Sequence, residues 1–265
     1  MLGLGAWSFP KGPSLMQVFL TLLRRELATY FVSLTGYVII SAVALLSGLS
    51  FWVLINGMGT APYQLPVTEM FFSSELFWFI LLIANAVITM RLYAHEKYSG
   101  TFETLMTTPV GDLQVVSAKF AAAWVFYMIM WLPFLGCCFL IQNYAKQAGA
   151  LDPGVLIGTF SGIGLFGAFF IAFGGFASAL TTNQMVAAMI SLLIGMALFA
   201  LSYVAHAGGG GVGWQAEVLS RFSFFEQMRE FAHGVIDTRA VVFLLSLAFL
   251  FLFLTLRVVE SRRWK

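Results

Sequence analysis

The sequence predicts an all-α integral membrane protein, and three observations carry that expectation. Of 265 residues, 60% are apolar and 10% charged, with a mean hydropathy of +0.90; no single core could hide so much apolar surface from water. Six apolar windows of about 17 to 26 residues are each long enough to cross a hydrocarbon layer of about 30 Å at about 1.5 Å per residue. None of them alternates apolar and polar residues with period 2, so their backbone groups are expected to pair within helices and not around a barrel. The windows lie near Gly36–Ile55, Phe71–Met90, Phe120–Ile141, Val155–Leu180, Met185–Ala205 and Ala240–Leu256.

Residues 1–13 contain glycine and proline and are expected to be loosely ordered. The first apolar run, Leu15–Leu23, is short, has no small-residue cleavage site and is followed by Arg24-Arg25, so the N-terminus is expected to stay on the chain. From Ser14, Leu15, Phe19, Leu22, Leu23, Leu27 and Tyr30 fall on one side, and Gln17, Thr21, Arg24 and Arg25 on another. That pattern predicts a helix lying in the headgroup layer ahead of the first span.

The loop Asn56–Glu69 has Gly57, Gly59, Pro62, Pro66 and no basic residue, and reads as a connector, as does Gln142–Gly154. The link after the second span is richer: Arg91-Leu-Tyr-Ala-His-Glu96-Lys-Tyr-Ser-Gly100-Thr-Phe-Glu103-Thr-Leu-Met-Thr-Thr-Pro109-Val, closed by Lys119. It is long enough for an amphipathic helix of its own, with a Ser-Gly-Thr start, Glu103 in the first turn and Pro109 just past the end.

Adjacent Cys137 and Cys138 cannot easily reach disulfide geometry and read as packing residues. The fourth span is dense in small residues, and its Gly158/Gly162 spacing permits close helix approach, by default within one subunit. After Gly208–Gly211, the stretch Trp214–Val235 sets Trp214, Val218, Leu219, Phe222, Phe225, Met228 and Phe231 among charges. It predicts an outer amphipathic helix, either a gate or partner contact, or a cap on the bundle.

Basic residues orient the spans. Lys11, Arg24, Arg25, Arg91, Lys97, Lys119, Arg257, Arg262, Arg263 and Lys265 fall on one side; Lys146, Arg221, Arg229 and Arg239 fall on the other. Both termini, the Arg91–Lys119 link and the Thr181–Gln184 turn are therefore expected in the cytoplasm, in a bacterial plasma membrane. The net charge of +2 adds little, and no nucleic-acid partner is expected.

The interiors of the six spans carry no Asp, Glu, Lys, Arg or His, whereas an ion-driven carrier would be expected to keep one despite a cost of about 2.5 to 3.5 kcal/mol. No internal repeat points to an inverted-repeat carrier. Gly158-Thr-Phe-Ser161-Gly162 is one residue longer than the Gly-x-Ser-Gly of intramembrane serine proteases. His95, His206 and His233 are scattered, no metal-ligand set is spaced for coordination, and no phosphate-binding loop is present. The chain is expected to be no enzyme and to hold no cofactor or metal.

The motif Arg91-Leu-Tyr-Ala-x-Glu96-Lys-x-Ser-Gly100-Thr-x-Glu103-x-Leu105-x-Thr-x-Pro109-Val, followed by Lys119-Phe, closely resembles the cytoplasmic signature of ABC-2 type transporter permeases, nearest the gliding-motility-type branch. Arg24-Arg-Glu-Leu-x-x-Tyr-Phe, Ser178-Ala-Leu-Thr-Thr-Asn183-Gln184-Met-Val-Ala187 and Gly234-Val-Ile-Asp237-Thr-Arg239 resemble its interfacial helix, its turn between spans four and five, and the approach to its last span. One departure is Ser33-Leu34-Thr35-Gly36, where that branch tends to have Ser-Pro; Gly36 would supply the bend.

The resemblance implies one permease domain over 1–265: a tail and interfacial helix (1–35), a six-helix bundle (36–258) with a coupling segment (91–119) and an outer segment (206–238), and a basic tail (259–265). It implies an exporter in which two permeases, identical or different, sit in membrane lipid and pair with two cytosolic ABC ATPase subunits that bind ATP and Mg. A coupling helix would dock on each ATPase. Tyr98, Phe102, Leu105 and Met106 would supply apolar contacts, Glu96, Lys97 and Glu103 the charge register, Gly100 and Thr101 the turn and start, and Pro109 the end. Asn183 and Gln184 would make a second contact. A competing expectation is a non-transporting membrane scaffold that recruits a cytoplasmic partner through a helix over 94–110.

Overall fold

The computed structural model describes residues 15–58, 67–72, 74–101, 110–145, 153–207 and 223–262. Among them are eleven helices and no strand. These are α1 (Leu15–Val32), α2 (Leu34–Met58), α3 (Val67–Phe72), α4 (Glu75–Thr89), α5 (Ala94–Ser99) and α6 (Asp112–Met130), then α7 (Leu132–Ala145), α8 (Pro153–Leu180), α9 (Gln184–Ala207), α10 (Phe224–Ala232) and α11 (Thr238–Arg262). Six segments are long and apolar enough to cross a membrane: Leu34–Asn56, Glu75–Ser99, Asp112–Leu140, Pro153–Leu180, Gln184–Val204 and Thr238–Ser261. The chain is an all-α integral membrane protein.

Local chemistry accounts for the differences from the expected boundaries. The second span does not begin at Phe71, because Phe71 and Phe72 end the separate helix α3 and Ser74 starts α4 anew. Its hydroxyl donates to the Phe71 carbonyl at 2.7 Å and accepts from Phe77 N at 3.4 Å, as an N-cap does. The third span breaks at Trp131, just ahead of Pro133, which has no N–H to continue the ladder and sits in the first turn of α7. It also starts earlier than expected, at Asp112, so Lys119 lies about two turns inside α6 and not at the end of a loop. The Asn56–Glu69 connector ends in structure: Thr68 and Glu69 are buried in α3.

The departure at Ser33–Gly36 has a physical reading. Between α1 and α2 the chain turns so sharply that a Cβ on Gly36 would lie 1.9 Å from the Tyr30 carbonyl oxygen, and Gly36 N donates to the Ser33 carbonyl at 3.1 Å. Glycine here does what a proline bend would otherwise do.

Helix α8 is the spine, packed against α4, α6, α9, α10 and α11. Its Gly158/Gly162 pair works within the subunit, as the seat of helix α10. A Cβ at Gly158 would meet the Phe231 carbonyl oxygen at 2.5 Å, and one at Gly162 would meet Phe231 Cβ at 2.8 Å. Ser161 donates to the Gly158 carbonyl at 2.7 Å. Many of the aromatic residues fill the interior: Phe71 packs on Phe134 at 5.0 Å between ring centroids, and Phe166 meets Phe224 edge-on at 5.6 Å. Cys137 and Cys138 are free thiols. Trp52, Leu193 and Phe249 stand exposed on the outer faces of α2, α9 and α11.

At the end of the bundle away from α1, buried Glu69 accepts from Arg229 Nε at 2.8 Å and lies 3.0 Å from His233 Nε2. These contacts clasp α3 to α10. The expected outer helix over Trp214–Val235 is described only from Ser223, and it stops at Ala232, short of Val235. Gly234 takes a left-handed conformation (φ 81), and Val235 N returns to the Glu230 carbonyl at 3.0 Å, which closes the helix end.

Candidate functional site

The residues of the Arg91–Thr101 link gather at the end of the bundle that also holds α1. Ser178, in the last turn of α8, builds the corner. Its hydroxyl accepts from Tyr93 N at 3.2 Å and Ala94 N at 3.1 Å, and donates to the Met90 carbonyl at 3.2 Å. One donor and two acceptors are all that a serine hydroxyl has to offer. The chain thus leaves α4, turns on Ser178 and enters α5, which Gly100 closes in a left-handed conformation (φ 74).

A charged node ties this corner to its neighbours. The ammonium of Lys119, 2% exposed, lies 2.7 Å from Glu96 Oε1 and 3.1 Å from Glu26 Oε2. Arg25 completes the node, 2.8 Å from Glu26 and 3.4 Å from Glu96. Two carboxylates and two cations therefore balance across α1, α5 and α6. Burying an ammonium is costly unless it is paired in this way, and the pairing makes the arrangement specific, because either partner left alone would be a desolvated charge. Tyr30 fixes α1 against the bundle, stacking on Phe126 at 4.7 Å and donating to the Ile88 carbonyl at 3.3 Å. Burial, and then the negative charge of Glu26, lift its phenol above the ordinary value, so it remains a donor.

The expected docking residues divide in two. Glu96 and Lys97 are turned inward, Glu96 to Lys119 and Lys97 to the Ala179 carbonyl of α8. Tyr98, 79% exposed, and Gly100 and Thr101 face outward. Phe102, Glu103, Leu105, Met106 and Pro109 lie outside the described residues. Asn183 caps the start of α9, its Oδ1 accepting from Met185 N at 2.9 Å. The Gln184 side chain meets His95 Nδ1 at 2.7 Å. The structure thus places the Thr181–Gln184 turn beside α5.

Sequence reasoning missed the roles of Glu26, Lys119 and Ser178. Glu26 and Ser178 stood in quoted motifs, but nothing in their local spacing gives their partners, which lie 93 and 85 residues away.

No curated protein matches the chain. The family model of the ABC-2 family transporter protein matches residues 58–257, three-quarters of the chain, and this match runs from the end of α2 to the last turns of α11. The chain belongs to the ABC-2 transporter family, whose members are the membrane-spanning permease components of ABC transporters and work with a separate ATPase subunit.

Proposed function

We propose that this permease is the translocation subunit of an ATP-driven exporter of the gliding-motility-type branch. In this reading it works as a pair of permease chains in a bacterial plasma membrane, both termini cytoplasmic, and ATP and Mg bind on the partner ATPase. The ATPase docks on the segment from Tyr98 to Pro109, with a second contact at Asn183 and Gln184. Glu103, Leu105 and Met106 carry the contact, and Glu96 and Lys97 act behind it as transmission residues.

The observation that supports this reading is the Lys119 node. A push on the segment after Gly100 reaches α5, and α5 is held to α1 through Arg25, to span three through Lys119, and to the start of span five through the His95–Gln184 contact. A docking site joined rigidly to three membrane elements can move them together; a tether for a scaffold has no need of such bracing.

The test is affinity purification of the tagged protein from its native cells, with identification of what co-purifies and an ATPase assay. Recovery of an ABC ATPase, lost or uncoupled from transport in Glu103→Lys while the bundle still melts as the parent does, is the expected result. Fully coupled activity in Glu103→Lys would sink the docking surface.

A further inference from the structure

Beside the charged node lies a cavity of about 440 Å³ bounded by α1, α2, the end of α4, α5 and α6, within the size range of small-molecule sites. Leu34, Val38, Ile39 and Val87 supply apolar walls. Leu34 is 80% exposed and Val38 58% exposed, so the mouth opens on the flank of the bundle that meets lipid.

Two carboxylates, Glu26 and Glu96, and two cations, Lys119 and Arg91, line it. The carboxylates are taken by Lys119 and by Arg25, which lies outside the lining, so Arg91 has no carboxylate in reach among the described residues. The Arg91 guanidinium is anchored on one side, its Nη1 donating to Thr35 Oγ1 at 2.7 Å. Its Nε is buried with no acceptor among the described residues.

We propose that this cavity is a binding site for the headgroup of one anionic glycerophospholipid of the adjoining leaflet. Arg91 is the phosphate-binding residue, and the first carbons of one acyl chain lie along Val38, Ile39 and Val87. The wall of apolar side chains opening to lipid selects an amphiphile over a soluble phosphate, and the Arg91 guanidinium, without a carboxylate partner among the described residues, selects an anionic headgroup over a zwitterionic one. The site needs no ATPase, so its test is independent of the docking surface.

Native mass spectrometry of the full chain in detergent, titrated with phosphatidylglycerol, phosphatidylcholine or inorganic phosphate, decides the matter. One phosphatidylglycerol should be retained, at least tenfold more strongly than phosphatidylcholine. Retention should fall at least tenfold in Arg91→Gln and in Val38→Trp, which blocks the mouth at an exposed position, and should recover in part in Arg91→Lys. Arg24→Gln, at an exposed position of α1 away from the cavity, should bind as the parent does. Equal retention by Arg91→Gln, or an equal loss in Arg24→Gln, overturns the site. Competition by inorganic phosphate alone overturns the lipid as its source.

Discussion

Ser178 and Tyr93 are 85 residues apart, and the hydroxyl of the first accepts the backbone N–H of the second at 3.2 Å. With the bonds to Ala94 and Met90, this one side chain holds the corner from which α5 departs. Ser178→Ala leaves two buried N–H groups without acceptors, at about 1 to 3 kcal/mol each before relaxation. The expected result is a loss of about 2 kcal/mol together with faster amide hydrogen exchange confined to residues 93–99. Unchanged exchange there would show that the corner holds without the serine.

The Lys119 node predicts non-additive mutants. Lys119→Met faces Glu26 and Glu96 with one less cation and is expected to cost about 3 kcal/mol. Glu96→Gln in the same chain should recover part of that loss, because the pair removed together leaves less unpaired charge. Thermal unfolding of the single and double variants, followed by tryptophan fluorescence, measures the coupling; strict additivity would contradict the geometry.

Two glycines separate packing from propensity. Gly158→Ala drives a methyl into the Phe231 carbonyl and should lower the melting temperature while raising amide exchange in α10. At Gly48, in α2, a Cβ would meet nothing within 4 Å. Gly48→Ala should therefore be neutral or stabilising by up to about 1 kcal/mol.

The proposed orientation is checked by labelling intact cells with an impermeant maleimide, in a background with Cys137 and Cys138 replaced by alanine. Gln215→Cys is expected to react and Thr104→Cys to stay protected. The reverse pattern would invert the topology.

The spans were legible because lipid imposes one simple demand, length with apolar composition, and Val155–Leu180 needs no tertiary information to be read. Breaks inside spans were harder: Trp131 and Ser74 divide helices through cap and proline chemistry that a hydropathy window averages away. The node was illegible for another reason. Lys119 looks like any boundary lysine reaching for water, and only the fold brings it to Glu26 and Glu96. Glu69 likewise sat in a stretch without a basic residue, and its partners Arg229 and His233 come from a stretch expected to form either a gate or partner contact, or a cap on the bundle. The inward turn of Glu96 and Lys97 could not be foreseen, since spacing on a short helix does not say which face the bundle covers.

The Glu69–Arg229 clasp spans 160 residues of chain, and that separation has a meaning in time. At about 5 to 20 residues per second, synthesis reaches Arg229 roughly 8 to 30 s after Glu69 has been added to the chain. Through that interval the carboxylate has neither of its native partners, and spans two to five must take their places without it. The clasp is therefore a late fastening: it can lock the finished bundle, but it cannot guide the insertion of the helices it finally holds.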